Sequence, residues 1–324
     1  MIFSDKIIKG YSKTLLTRRD PDLAVKFFDA EDFPGLSKSG VVFKNASGET
    51  LHGYIYSYPD YKTDRLVIFD HGMGAGHRAY MTEIATLASH GYRVFSYDHT
   101  GCGESEGQGI KGFSGSLSDL DCAVRAIRSS EEYAKIKLTV VGHSWGAFST
   151  MNITAIHKDI ESIVAMSGFI SVQSIQQEKI RGILSLWRKD LYSLEAKVNP
   201  NYYAYNAIET LSKTEARALI IHSEDDPIVD FDKNFGKLRG ALSGRSRITF
   251  LAVNGKRHSP NYTFEAVKYK DEYFAELNTM RKKKKFKTDE QRKAFADSYD
   301  WRKMTEQDEK LWQIIFDHID GVNV

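Results

Sequence analysis

Short apolar runs along this chain alternate with segments whose apolar residues recur every three or four positions. The runs have the length and the β-branched or aromatic content of strands, and they lie near residues 40–44, 50–58, 65–70, 92–97, 137–141, 161–166, 217–222 and 247–253. Residues 80–90 and 117–128 have the spacing of amphipathic helices. Strands that alternate with helices form mostly parallel sheets with helices on both faces, so the pattern predicts an α/β fold.

The pattern also indicates how the chain is divided. The first two predicted strands flank the turn at 45–48 and should form an antiparallel hairpin at the edge of the sheet. Residues 1–39 predict a helical lead-in to which we assign no function. We expect residues 40–324 to form one domain, since 324 residues suit a single α/β domain with insertions. The insertions lie at about 169–212 and, highly charged, at about 260–305.

The strand predicted at 137–141 runs directly into the pentapeptide GHSWG at 142–146. A nucleophilic serine must stand on a sharp turn between a strand and a helix, and glycines two positions to either side let neighbouring elements approach that turn. The pentapeptide therefore favours Ser144 as a nucleophile. An ordinary serine in a glycine-flanked turn is the alternative that this motif alone leaves open.

A histidine and a carboxylate follow Ser144 at the ends of later predicted strands. His258 comes shortly after the strand at 247–253, where a general base could take the serine proton. Asp225 and Asp226 both follow the strand at 217–222, and either could orient the imidazole. We favour Asp226, because it and the following Pro-Ile-Val resemble the Gly-x-x-Asp-x-Ile/Val stretch of many α/β-hydrolases. Asp225 could instead bond to the backbone of its own loop.

Two backbone N–H groups are needed to stabilise the oxyanion that forms during acyl transfer. Trp145, the residue after the serine, is expected to supply one of them. The glycine-rich loop at 71–76 should supply the other, which we assign to Met73. This loop could also be a flexible turn or bind a nucleotide, but its spacing matches neither common nucleotide-binding pattern. His71, His143 and Trp187 are predicted to line the substrate pocket.

Four motifs together resemble α/β-hydrolases of the group that includes serine aminopeptidase-like and monoacylglycerol lipase-like enzymes. They are HGMG at 71–74 with RAY at 78–80, GYRVFSYDHTGCGESEG at 91–107, the Ser144 pentapeptide, and Asp226 with His258. The likeness spans about 40–260 and a final helix near 309–319. It departs from the usual pattern at Ser223, where glycine is common, and at Thr100, where arginine is frequent. The resemblance implies the α/β-hydrolase fold.

The resemblance further implies a helical cap at about 169–212. This segment has Ile180, Ile183, Leu184 and Trp187 at helical spacing. One hypothesis is that the cap covers the pocket and sets the substrate preference. The alternative is that the apolar stripe packs on the core of the domain.

Composition and charge limit which classes of binding partner are expected. The 45 basic and 43 acidic residues give no broad positive field, so no nucleic acid is expected as a partner. The basic run at 281–287 is expected to be a solvated surface, with a nucleic-acid or phospholipid patch as the alternative. No apolar run is long enough to predict a transmembrane span, although contact with a lipid surface stays open. Early charges argue against a signal peptide, and with only Cys102 and Cys122 the expected location is cytoplasmic.

No metal or cofactor is expected, because the histidines match no common zinc spacing, and Cys102 lacks the histidine partner of a nucleophilic cysteine. The sequence predicts a serine hydrolase that cleaves a small-molecule carboxylic ester through an acyl-enzyme. Amide or peptide hydrolysis is the first alternative, and it would need an acidic group that holds a substrate amine. A catalytically silent ligand-binding protein is the second. Acyl length, leaving group and oligomeric state stay open.

Overall fold

A computed structural model describes residues 9–11, 13 and 16–322. Within them, one eight-stranded sheet has the strand order β1-β2-β4-β3-β5-β6-β7-β8. Its strands are β1 (Ser37–Lys44), β2 (Thr50–Ser57), β3 (Arg65–Asp70), β4 (Arg93–Tyr97), β5 (Lys137–His143), β6 (Ile160–Met166), β7 (Arg217–Ser223) and β8 (Ile248–Val253). The pairs β1–β2 and β2–β4 are antiparallel and the others are parallel. Each predicted strand is therefore present, and the hairpin lies at the edge.

Helices follow most strands. The α-helices of the described residues are α1 (Met81–Ser89), α2 (Gly115–Ser129), α3 (Trp145–Ile153), α4 (Val172–Lys179), α5 (Arg188–Val198), α6 (Ala207–Ser212), α7 (Lys237–Leu242), α8 (Phe264–Lys282), α9 (Asp289–Asp297), α10 (Trp301–Met304) and α11 (Glu309–Asp320). Short 3-10 helices lie at Ala30–Asp32, His77–Tyr80 and Gly182–Trp187, and a π-helix lies at Asp232–Gly236. None of the helices in the described ranges is long and apolar enough to cross a membrane.

The central strands β3 to β7 are buried on both faces, which explains why they are nearly continuous apolar runs. Successive side chains of a strand point to opposite faces. Leu66 and Ile68 of β3 accordingly belong to the hydrophobic core that includes Phe148 of α3. Val67 and Phe69 belong to the second core on the other face. Helices on both faces complete the three-layer α/β architecture that the sequence predicts.

The helical lead-in predicted at 1–39 is wrong for residues 16–39, while residues 1–8, 12, 14 and 15 lie outside the described ranges. Helix is assigned at 9–11 and 13, but after them only Ala30–Asp32 makes a helical turn before β1 begins at Ser37. The reason is that neighbouring loops, not a turn of helix, provide the hydrogen-bond partners here. The Arg19 N–H donates to the Gly101 carbonyl over 2.7 Å, and the Arg18 guanidinium donates to the Ser105 carbonyl over 2.7 Å.

The insertion between β6 and β7 forms α4, α5, α6 and a 3-10 helix, as a helical cap would. Its predicted apolar stripe does not pack on the core throughout, because Ile183 and Leu184 are exposed. Trp187 is half-buried. The charged insertion after β8 forms α8, α9 and α10, and buried Tyr273 and Trp301 join it to the second core. Only the end of α8 and the following loop carry the basic run at 281–287.

Candidate active site

Ser144 stands alone between β5 and α3 on a turn that few residues adopt. Its φ of 57° and ψ of −111° lie outside the ordinary regions for a residue with a side chain, so the backbone is strained there. The flanking glycines explain how the turn fits. A Cβ on Gly142 would overlap the side chain of Thr150, and one on Gly146 would overlap the backbone at Asp70. The strand and helix therefore approach closely enough to project the serine hydroxyl.

Ser144, His258 and Asp226 are brought together at the carboxyl ends of β5, β7 and β8. His258 Nε2 lies 2.9 Å from Ser144 Oγ, and His258 Nδ1 lies 2.8 Å from Asp226 Oδ2. Burial alone would raise the pKa of Asp226, but hydrogen bonds from His222 and His258 hold that pKa well below its usual range. The carboxylate is thus ionised and aimed at the imidazole.

Asp225 has a different set of contacts. Its Oδ1 accepts hydrogen bonds from Ser223 Oγ over 2.5 Å and from the Arg257 N–H over 3.1 Å. Ser223 Oγ in turn accepts from the Lys256 N–H over 3.2 Å. The serine that replaces the usual glycine therefore ties the two loops that carry Asp226 and His258 together.

Comparisons with known proteins bear on the fold. Residues 61–210 match a family model described as serine aminopeptidase, S33. The esterase Pf2001 of Pyrococcus furiosus is structurally similar, with a TM-score of 0.59 and 18% identity over 82% of this chain and 98% of that chain. The α/β hydrolase GrgF from Penicillium sp. sh18 has a TM-score of 0.51 and 16% identity over 68% of this chain and 91% of that one. No curated protein sequence matches the chain.

The chain has the α/β-hydrolase fold. Its strand order and cap, the family match over 61–210 and the two structural likenesses together confirm the fold class and the resemblance that the motifs predict. At these identities the structural likenesses bear on the fold alone.

The glycine-rich loop after β3 contains Met73, the residue predicted to donate to the oxyanion. A buried carboxylate holds this loop in place. Asp98 Oδ1 accepts from the His77 N–H and from His77 Nδ1, each over 2.7 Å, and Oδ2 accepts from the Glu104 N–H over 2.8 Å. Burial opposes ionisation of Asp98, but His77 lowers its pKa to about 2. The 91–107 motif therefore fixes the loop that carries Met73.

Trp145, the other predicted oxyanion donor, is the first residue of α3. Its indole Nε1 donates to the Phe113 carbonyl over 2.6 Å, and its side chain is almost completely buried. The first N–H groups of a helix have no partner within the helix, so the Trp145 N–H is not engaged by α3. Its role stays a prediction.

The prediction that His71 lines the substrate pocket is wrong. Its side chain has no exposed surface. Burial, reinforced by nearby His99, lowers its pKa to about 3, so the ring is neutral. Nδ1–H donates to the Gly72 carbonyl over 2.7 Å, and Nε2 accepts from the His99 N–H over 3.1 Å. His71 therefore ties two loops together below the site.

His143 is also largely buried, and it contacts the loop that carries His258. Burial, reinforced by His258, lowers its pKa to about 3. Its Nε2 lies 2.6 Å from the His258 carbonyl, which can only accept, so Nε2 carries the proton. Nδ1 then accepts from the Tyr80 hydroxyl over 2.9 Å. Trp187, the third predicted pocket residue, stays a prediction on the cap.

A cavity of about 200 Å³ lies beside the glycine-rich loop. Its walls include Gly72, His143, Ser259, Glu83 and Lys270. Glu83 is buried, which raises its pKa, and its Oε1 accepts from Asn261 Nδ2 over 3.1 Å. The ammonium of Lys270, whose pKa burial lowers, donates to Ser259 Oγ over 3.0 Å. These charges anchor the residues that follow His258.

Sequence reasoning missed Glu83, Lys270 and Asn261. The sequence did contain one signal, because Glu83 lies on the apolar face of the helix predicted at 80–90. A buried glutamate almost always has a partner, so this position indicates a polar contact. No local pattern names that partner, which comes from a loop after β8. Within 9–11, 13 and 16–322, no group of three or more His, Cys, Asp or Glu side chains is arranged to hold a metal ion.

Proposed function

We propose that this protein is a serine hydrolase that cleaves a small-molecule carboxylic ester through an acyl-enzyme. The main support is a continuous series of contacts from Asp226 through His258 to Ser144. Asp226 Oδ2 lies 2.8 Å from His258 Nδ1, and His258 Nε2 lies 2.9 Å from Ser144 Oγ. The strained turn supports the assignment, because a serine without a chemical role gains nothing from it. The name of the similar Pyrococcus furiosus protein, an esterase, agrees with the proposal.

The reaction proceeds in two steps. His258 Nε2 takes the proton of Ser144 Oγ as that oxygen attacks the ester carbonyl, and Asp226 stabilises the imidazolium. The backbone N–H groups of Met73 and Trp145 stabilise the oxyanion. Collapse breaks the bond to the alcohol oxygen, which receives the proton from His258, and the acyl group stays on Ser144. Water, deprotonated by His258, then attacks the acyl-enzyme and releases the carboxylic acid and free Ser144.

This site suits an ester substrate better than a peptide whose amine must be held by an acidic group. The acidic groups that lie close to the candidate residues are already engaged. Glu195 of α5 accepts from the Phe113 N–H over 2.9 Å and from Ser114 Oγ over 3.0 Å, next to the carbonyl that Trp145 contacts. Glu83 accepts from Asn261 and lies close to Lys270. A substrate ammonium would have to displace these partners, so we propose ester cleavage as the main activity.

We also propose a cytoplasmic location. Cys102 is buried and Cys122 is partly buried, and neither forms a disulfide. Unpaired cysteines are typical of a reducing compartment.

The test is hydrolysis of p-nitrophenyl esters from acetate to palmitate, with Ser144→Ala as the control. We expect turnover by the wild-type protein and its loss in the variant. A fluorophosphonate probe should label only a protein that retains Ser144. Turnover that survives Ser144→Ala would contradict the assignment, and labelling without turnover of any ester would favour an amide substrate. No labelling and no turnover would favour a silent binding protein.

A further inference from the structure

Three large apolar side chains of the cap are exposed within four residues. Ile183 is 75% exposed, Leu184 44% and Leu186 73%. They lie on the 3-10 helix Gly182–Trp187, in which residues three apart point to the same side, so Ile183 and Leu186 are neighbours on one surface. We call Ile183, Leu184 and Leu186 the cap tip. Single exposed apolar residues are ordinary, but a contiguous group marks an interaction site.

The cap tip is held at its base. Arg188 Nε donates to the Ile180 carbonyl over 2.8 Å, and Arg181 Nε donates to the Glu178 carbonyl over 2.6 Å. Gly182, with a φ of +60°, lets the chain turn between these two anchors. Hydrogen bonds at its base therefore hold the segment that exposes these three side chains.

Cationic residues flank the cap tip in the sequence. Residues 179–190 contain Lys179, Arg181, Arg188 and Lys189 against the single carboxylate of Asp190. This net charge of +3 exceeds the +2 of the whole chain. Lys179 pairs with Glu178 over 2.9 Å, and Arg181 interacts with the carboxylate of Asp230. The hydrogen bonds of the Arg188 guanidinium go to backbone carbonyls, which carry no net charge. An apolar tip flanked by positive charge complements an anionic bilayer, which offers negative head groups above hydrocarbon.

Lys179, four residues before the cap tip, contacts a loop of the candidate active site. The Lys179 ammonium contacts the carbonyl of Ile228, whose own side chain is 49% exposed. The Ile228 N–H donates to Asp226 Oδ1 over 2.8 Å. A surface that binds the tip would therefore lie beside the loop that holds the catalytic carboxylate.

We propose that the cap tip is a docking surface for anionic phospholipid bilayers. A second copy of the chain fits less well, because a two-fold contact through the tip would bring two sets of these cations together. The basic run at 281–287 also fits less well. Arg281 is paired with Asp22, and Phe286 is only half-exposed, so that run combines charge with little exposed apolar surface. Binding through the tip is peripheral and reversible.

The experiment is co-sedimentation of the full chain with vesicles, either of phosphatidylcholine alone or of equal parts of phosphatidylcholine and phosphatidylglycerol. We expect binding to the mixed vesicles that weakens as salt rises, since salt screens the cations. Ile183→Ser with Leu186→Ser should lower the partition coefficient about tenfold or more. Lys189→Gln should lower it about fivefold.

Two matched variants serve as controls. Val42→Ser removes an equally exposed apolar side chain, 63% exposed, from β1, and it should bind as the wild type does. Lys282→Gln with Lys283→Gln tests the basic run and should have a small effect. Hydrolysis of p-nitrophenyl acetate should be unchanged in every variant, which shows that each is folded. Vesicle binding is read without turnover, so its failure leaves the proposed function untouched.

Several outcomes would overturn the proposal. They are an absence of binding to the mixed vesicles, equal binding by the wild type and the double serine variant, and loss of binding only when the basic run is neutralised. A concentration-dependent dimer that the double serine variant abolishes, without vesicle binding, would assign the tip to a second copy of the chain.

Discussion

Tyr80 and His143 are joined by a hydrogen bond of 2.9 Å between the tyrosine hydroxyl and Nδ1 of the histidine. His143 Nε2 continues the connection to the His258 carbonyl over 2.6 Å. The Tyr80 oxygen also accepts from the backbone of Gly72. One buried, neutral imidazole thus links the loop that carries Met73 to the loop that carries the proposed general base. We therefore infer that His143, the residue before the proposed nucleophile, is a positioning residue.

Replacing Tyr80 by phenylalanine should remove this link while keeping the ring. We expect kcat to fall roughly tenfold with KM nearly unchanged, because the distance between His258 and the oxyanion donors is no longer fixed. The free energy of unfolding should fall by about 1 kcal/mol, as for one lost hydrogen bond. Steady-state kinetics and urea unfolding measure both effects.

Tyr92→Phe is the matched control. Tyr92 lies directly before β4, at the opposite end of the sheet from Ser144, and its hydroxyl donates to Asp320 over 2.9 Å. It should lose similar stability but keep kcat. If both variants lost kcat equally, Tyr80 would have no specific positioning role.

The two neighbouring aspartates should differ sharply in their effect on catalysis. Asp226→Asn should lower kcat by about 10⁴, because the amide favours the wrong tautomer of His258. Asp225→Asn should cost far less, since Asp225 contacts Ser223 and the Arg257 N–H rather than the imidazole. Parallel kcat measurements on the two variants, with circular dichroism to establish folding, decide the matter. A larger loss in Asp225→Asn would reverse the assignment.

How far the sequence predicts this site depends on how local each feature is. Ser144, Asp226 and His258 lie on turns directly after strands, and in a parallel sheet such turns meet at one edge. The partners of Glu83 depend on how the segment after β8 folds back over α1, which no spacing reveals. His71 was misplaced because its ring turns inward to the His99 N–H. The helix predicted at the N-terminus is wrong for residues 16–36 because residues such as Arg18 and Arg19 form hydrogen bonds with distant loops.

The stability of the protein should fall as the pH rises from about 6.5 to 8. Burial alone would lower the pKa of His99, but Asp70 and Asp119, at 3.0 and 3.4 Å, raise it to about 9. In this window the folded protein keeps a proton that unfolded His99 releases, so folding binds protons and the free energy of unfolding falls. The full loss, complete only above the folded pKa, is on the order of 3 kcal/mol.

Urea unfolding at several pH values measures this dependence, and NMR titration of the His99 ring assigns it. Histidines with lowered pKa values, such as His71 and His143, change the free energy of unfolding only below about pH 6.5, so they do not contribute to this dependence. Stability that stays level or rises between pH 6.5 and 8 would show that His99 is not held protonated.

Two glycine substitutions should have opposite effects on stability. Gly76 has a φ of +111°, and a Cβ there would lie within 2.8 Å of Asp98 Cγ. Gly76→Ala should therefore cost about 2–4 kcal/mol of unfolding free energy. It should also lower kcat, because Asp98 holds the loop that carries Met73. Gly240 lies in α7 with nothing within 4 Å of a built Cβ. Gly240→Ala should stabilise the protein by about 0.5–1 kcal/mol and leave kcat unchanged. If Gly76→Ala lowered stability but not kcat, the carboxylate clamp would support the fold without setting the position of the oxyanion donor.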